Sequence, residues 1–187
     1  MLRLGAYHIG MSLRLIPVPQ RNLKSFIKQG MEKQKSKVEP TRTEDGSSFF
    51  NRCLDQALRY LSLREHNRKE LQIKLRTKDY DAKTIEAVLD SLEEDGSLSE
   101  ERYVRSFVRS SNKRHPEGKS VVLMRLAQKG ADRQVSERVV TEIYTPEYTS
   151  ELAAQARALL EKKGRASDER QLRFELSKLG FRFSEIQ

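Results

Sequence analysis

The sequence predicts an all-α protein: tandem repeats of three-helix units, about eight or nine short helices, forming an elongated, curved array. Three observations carry this. Leu75, Leu126 and Leu176 fall 51 and then 50 residues apart, each late in a helix with Leu- or Val-x3-Leu spacing that runs into a turn. Apolar residues return every three or four positions from Phe49 onward, the spacing of one helix face. Nothing alternates apolar and polar as a half-buried strand does.

The elements follow in order. Residues 1–48 read as a basic N-terminal arm and linker. Residues 1–31 hold Arg3, Arg14, Arg21, Lys24 and Lys28 without an acid, a composition shared with organelle transit peptides, but Pro17 and Pro19 interrupt any helix early and favour a loose basic arm. Met11 offers a second start. Pro40, Gly46, Ser47 and Ser48 mark the linker. The first repeat, 49–98, opens with Phe50, Leu54, Ala57, Leu58 and Leu61 on one face. Its second helix starts at Asn67, whose side chain accepts first-turn amide protons while Glu70 reaches back as in a capping box, and it ends at Lys78-Asp79-Tyr80. Its third carries Ile85, Val88, Leu89 and Leu92.

The second repeat, 99–144, runs from Ser99 through Tyr103 to Val108, then Val122 and Leu126 to the turn Lys129-Gly130-Ala131, then Val135, Val139, Val140 and Ile143. The third, 145–187, begins at Thr145-Pro146, a capping hydroxyl followed by proline at the first helical position. It continues through Leu152 to Leu160, then Leu172 and Leu176 to Leu179-Gly180-Phe181, and its last helix is cut short after Ile186. Asp81, Asp132 and Ser167 stand at further helix starts, and Gly96, Gly130, Gly164 and Gly180 at stops.

With 36% hydrophobic and 34% charged residues, the chain can bury thin cores rather than one thick one. No apolar run approaches the roughly 18 residues that span a bilayer, so no membrane partner is expected. A single Cys53 forms no intrachain disulfide, and without a CxxC pair, with only three histidines, no structural zinc and no cofactor are expected. A reducing, cytoplasmic setting fits. Of the net charge of +9, residues 1–43 carry +7 and residues 44–187 only +2. The body is polarised instead. Residues 86–101 hold seven acids and no base, whereas residues 102–138 hold ten bases against three acids. Such a surface attracts phosphate or a partner of mixed charge.

The run Leu61-Ser62-Leu63-Arg64, Glu70-Leu71-x3-Leu75, Ile85-x2-Val88-Leu89-x2-Leu92 and Gly96-Ser97-Leu98-Ser99-Glu100-Glu101-Arg102-Tyr103 resembles the RecX family of bacterial recombination regulators. So do Gly118 with Leu126-x2-Lys129-Gly130, and Leu176-x2-Leu179-Gly180-Phe181. The likeness covers about residues 50–187. It implies a non-enzymatic protein of tandem three-helix repeats that binds the RecA recombinase filament and typically inhibits its ATP hydrolysis and strand exchange. Lys119 after Gly118, where relatives often have proline, and Ser99, where aspartate is common, depart from the family pattern.

The helix after Ser99 is the candidate contact element. At 100° per residue, Arg102, Arg105, Arg109 and Lys113 lie within about 80° of arc, opposite Tyr103, Val104, Phe107 and Val108. Arg114, Lys119, Arg125, Lys129 and Arg133 extend this cationic surface, which suits single- or double-stranded DNA phosphates or acidic loops of a recombinase, bound by a monomer. An ordinary solvated face has the same pattern. Gly118-Lys119-Ser120 imitates the end of a phosphate-binding loop, but Lys113 stands where the first glycine belongs, leaving a helix start. The acids of Glu93–Glu101 lack the ligand order of a calcium loop. Cys53 sits on an apolar face and reads as a packed thiol, and neither His66 nor His115 has a setting for proton transfer. Tyr60, Tyr80, Tyr103, Phe174, Phe181 and Phe183 have faces that stack bases, yet most occupy expected core positions. The alternative function is a free-standing DNA reader of helix-turn-helix type.

Overall fold

Short polar side chains and glycines punctuate the sequence, and helices begin and end at them. The computed structural model describes residues 46–165 and 168–185, which belong to one unit, Arg42–Gln187. These residues form α1 (Gly46–Leu63), α2 (Arg68–Arg76), α3 (Ala82–Glu94), α4 (Glu100–Arg114), α5 (Lys119–Gln128), α6 (Arg133–Ile143), α7 (Pro146–Lys162) and α8 (Glu169–Lys178), then a 3-10 turn, Phe183–Glu185. No strand occurs among the described residues. Helix α1 begins at Gly46, inside the stretch expected to be linker. The rest of the basic arm, Ser167 and Ile186 lie outside the described residues.

The caps explain the boundaries. Side chains of Asn67, Asp81, Ser99, Asp132 and Thr145 each accept the amide proton three residues on, at 2.7 to 3.3 Å, satisfying donors that a helix start leaves unpaired. Helix α8 is capped by Asp168, with Asp168 Oδ1 accepting from Gln171 N at 2.7 Å. The reciprocal half of the expected box at Asn67 is not used: the Glu70 carboxylate pairs with Arg64 instead. Gly96, Gly130, Gly164 and Gly180 have φ between 62° and 89°, the left-handed conformation that closes a helix. Asp79, in the position equivalent to Gly130, adopts φ 61° without glycine's freedom.

Within a repeat the first and third helices, α1 with α3 and α4 with α6, make the broadest contact, and the second lies on the third. Apolar side chains divide into two clusters rather than three. One comprises Cys53, Ala57, Leu71, Leu75, Ile85, Val88, Leu89, Leu92 and Leu98, all from α1 to the turn after α3. The other runs from Tyr103 to Phe181 and draws on all five later helices. Each leucine or valine fully withdrawn from water contributes about 1.5–3 kcal/mol relative to an exposed one. Cys53 is buried in the first cluster; burial, and then the charge of Asp81, pushes its thiol up to about 11, the state of an inert packed cysteine. Tyr103 and Phe181 are core as expected, and Tyr60 and Tyr80 are half-buried. Phe174 is a correction: it lies 59% exposed, because its position falls outside the Leu172–Leu176 stripe.

Two joints link successive repeats, and they use equivalent positions. Asn67, the cap of α2, donates Nδ2–H to the Lys129 carbonyl at the end of α5, at 3.1 Å. Gly118, the cap of α5, donates its backbone N–H to the Leu179 carbonyl at the end of α8, at 2.7 Å. Lys69 then lies against Gly130 as Ser120 lies against Gly180, each two residues past the cap. At the first joint the Glu100 carboxylate also accepts from the backbone N–H of Asp132 at 2.8 Å and of Arg68 at 3.4 Å. Burial raises its pKa, and these two donors oppose that shift.

Candidate functional site

Helix α4 divides as its periodicity predicts, with Tyr103, Val104 and Val108 buried, Phe107 half-buried, and its cations facing outward. Those cations differ in what they are free to do. Arg102 is fully engaged: Nε donates to Glu65 at 3.0 Å, and its two terminal nitrogens donate to the carbonyls of Gly96 and Ser97 at 2.9 and 2.8 Å. It locks the turn before its own helix. Arg105 donates to Glu101 at 2.8 Å and to Glu142 on α6 at 2.6 Å, and Arg138 closes a four-membered ring by donating to the same two acids at 3.0 and 3.1 Å. Hydrogen bonds from Arg138 and Arg105 hold the Glu101 carboxyl below the usual range.

Arg125 grips Glu117 with both carboxylate oxygens at 2.8 and 2.6 Å, Lys119 donates to Thr141 at 2.9 Å, and Arg133 pairs with Glu137 at 2.8 Å while remaining 88% exposed. By contrast Arg109, Lys113, Arg114 and Lys129 are exposed and form no ion pair among the described residues. Arg109 and Lys113 overhang a shallow groove of about 410 Å³ between α4 and α7, whose floor includes Val108, Ile143 and Leu152. The nine candidates therefore separate into five whose charged groups are held by partners, Arg133 only by an exposed pair along its own helix, and four with no ion-pair partner among the described residues. Charge with apolar floor suits an acidic protein loop or a phosphate backbone alike.

What positions this face was only partly visible in the sequence. The buried Asn112, one turn from Arg109 on the inner side of α4, donates to the hydroxyls of Tyr144 at 2.8 Å and Tyr148 at 3.2 Å. The Tyr144 hydroxyl donates on to the Glu117 carbonyl at 2.9 Å, and Asn112 Oδ1 accepts from Glu117 N. Burial raises the Tyr144 pKa, keeping that phenol a donor. This network pins the His115–Gly118 loop, and with it the start of α5, to the groove wall. An asparagine at a core position of an otherwise apolar stripe was the available signal.

His66 and Cys53 have no catalytic setting. The His66 ring is buried, with Nδ1 2.9 Å from the Arg64 carbonyl and Nε2 2.9 Å from the Lys74 ammonium. A carbonyl only accepts and an ammonium only donates, so this ring is neutral, with its proton on Nδ1. Burial lowers its pKa. The Gly118-Lys119-Ser120 segment is a helix start, as its missing first glycine implied. Among the described residues no helix is long and apolar enough to cross a membrane, and no group of three or more His, Cys, Asp and Glu is placed to hold a metal.

Comparison with known proteins agrees with this architecture. The family model described as RecX, first three-helix domain, matches residues 53–92, which hold all of the first apolar cluster but Leu98. The regulatory protein RecX of Pelodictyon phaeoclathratiforme is 31% identical over 131 residues, covering 70% of this chain and 82% of that protein. That of Prosthecochloris aestuarii is 33% identical over 95 residues, covering 51% of this chain and 63% of that one. The crystal structure of RecX from Lactobacillus salivarius superposes with a TM-score of 0.65 over 75% of this chain and 94% of the other, at 23% identity, a likeness of fold. With a tandem all-helical fold and 82% of a relative's length aligned at 31% identity, the chain belongs to the RecX family of regulatory proteins.

Proposed function

We propose that this chain regulates the RecA recombinase, binding the RecA–DNA filament and restraining its ATP hydrolysis and strand exchange during recombination and repair. It acts in the cytoplasm as a monomer and catalyses nothing itself. The repeats of residues 49–98, 99–144 and 145–187 lie along the filament, and bridging successive subunits hinders the movements that ATP turnover requires. Modest contacts at each repeat add through effective concentration.

The observation that carries this reading is the uncompensated set Arg109, Lys113, Arg114 and Lys129, two of which overhang the α4–α7 groove. These cations meet acidic filament loops, DNA phosphates, or both. Because Arg105 is held by Glu101 and Glu142, the clean probe is Arg109→Glu with Lys113→Glu. ATP hydrolysis by RecA on single-stranded DNA is followed while the chain is titrated in. The double variant should need about tenfold more protein for half-inhibition, roughly 1.4 kcal/mol, with a folded circular dichroism spectrum. Unchanged inhibition would remove α4 from the contact. Sequence-selective duplex binding without recombinase would favour the helix-turn-helix alternative.

A further inference from the structure

Three of the large apolar side chains left on the surface occupy one equivalent position. Ile73 is 52% exposed, Met124 53% and Phe174 59%, and each stands two residues before the buried leucine of its repeat's second helix, Leu75, Leu126 or Leu176. Two residues along a helix turn a side chain about 200° away, so each projects from the side opposite the core. The two joints relate repeat one to repeat two, and repeat two to repeat three, at equivalent positions: the cap of the second helix donates to the end carbonyl of the next, through the Asn67 side chain in one and the Gly118 backbone in the other. Ile73, Met124 and Phe174 therefore hold the same place within their own repeats. Singly exposed apolar residues are commonplace, but exposure of a large apolar side chain at the same position of all three repeats is not explained by chance.

The surroundings specify the partner's chemistry. The exposed neighbours of Ile73 one turn away include Lys69 and Arg76, and those of Phe174 include Arg170 and Lys178, whose ammonium sits 4.2 Å from the ring centroid, whereas those of Met124 are the uncharged Ser120, Ala127 and Gln128. All three second helices carry more bases than acids. Glu70, the acid nearest Ile73, is already held by Arg64. Isoleucine and methionine offer no flat face for base stacking, which argues against single-stranded nucleic acid as the occupant.

We infer that Ile73, Met124 and Phe174 form a row of apolar anchors that docks onto a protein polymer, each anchor entering an apolar pocket on a repeating subunit, with acidic groups beside the pockets that take Ile73 and Phe174. This rests on the filament reading above and assigns it a second contact, separate from the α4 cations. Anchors buried at an interface contribute far more than the rim around them.

The test is co-sedimentation of the full chain with RecA assembled on single-stranded DNA. It compares the unmodified protein with Ile73→Ser, Met124→Ser and Phe174→Ser, singly and combined. All four variants should keep the native circular dichroism spectrum, since the three side chains lie outside both cores. Each single change should weaken binding about tenfold, and the triple change at least a hundredfold. Loss confined to one position would overturn the row, as would triple-variant binding equal to that of the unmodified chain. Self-association abolished by the triple change would overturn the choice of partner in favour of a second copy. Equal loss of binding to naked single-stranded DNA would assign the row to nucleic acid instead. If the unmodified chain fails to sediment with the filament, the filament reading falls and this proposal with it.

Discussion

The joint between the first and second repeats differs in kind from the joint between the second and third. At the first, side chains span the gap: Asn67 reaches the Lys129 carbonyl, and Glu100 reaches the amides of Arg68 and Asp132. The apolar clusters on its two sides remain separate. At the second joint, backbone meets backbone at Gly118 and Leu179, and one apolar cluster runs through both repeats. A side-chain bridge tolerates small shifts, whereas apposed main chains do not. Residues 53–98 should therefore open as one cooperative unit, and the helices from α4 to α8 as another, a division that hydrogen exchange reads directly.

The largest expected effect tests the backbone joint. A Cβ built on Gly118 lies 2.1 Å from the Gly180 carbonyl oxygen, and no flexible side chain is there to yield. Gly118→Ala should cost about 3 kcal/mol or more, with protection lost from α4 to α8 and retained in α1 to α3. Equal loss in both regions would merge the two units into one.

The side-chain joint should give less. Asn67→Ala removes both a helix cap and the bond to Lys129, and should cost about 2 kcal/mol of stability to denaturant. Its effect should appear first in α2 and α5. Protection lost only from α7 and α8 would contradict the assignment.

A smaller, pH-dependent effect belongs to the first unit alone. Burial depresses the His66 pKa below its ordinary 6.5, so the unfolded chain takes up the proton first as pH falls. The stability this contributes is complete above 6.5 and diminishes as pH drops below it toward the folded value. Of the groups facing the ring, the Arg64 pKa is raised and that of Glu70 lowered by their mutual hydrogen bond, so neither titrates between about pH 7.5 and 5.5. Exchange from α1 to α3 should therefore rise over that interval. It should do so less in His66→Gln; an identical rise in the variant would place the titration elsewhere.

The smallest change expected is a gain. Asp79 holds φ 61° in the turn where Gly130 and Gly180 stand in the other repeats, so Asp79→Gly should raise stability by about 0.5–1 kcal/mol, seen as a higher unfolding midpoint of the first unit. A lower midpoint would show that the aspartate side chain contributes more than the backbone conformation costs.

Periodicity and punctuation made the architecture readable. The heptad-like return of Ile85, Val88, Leu89 and Leu92, and the capping residues Asn67, Asp81 and Asp132, each state a local preference that packing did not override. The cationic side of α4 was legible for the same reason. What sequence spacing did not carry was partnership across the fold. Arg102 and Arg109 look alike on a helical wheel, yet one is bound to the turn before α4 and the other has no ion-pair partner among the described residues, because Glu65 and the carbonyls of Gly96 and Ser97 arrive from other segments. Likewise Gly118 reads as a helix start, and its reason for being glycine lies 62 residues away at Gly180.

The twofold use of one cap-to-carbonyl joint has a genealogical consequence. A unit that fastens to its successor at the position its predecessor uses, cap residue to end carbonyl, can be copied in tandem with little redesign of either surface. Gene duplication in blocks of about fifty codons would yield longer descendants that assemble at once, whereas insertions of other sizes would have to be absorbed in the loops.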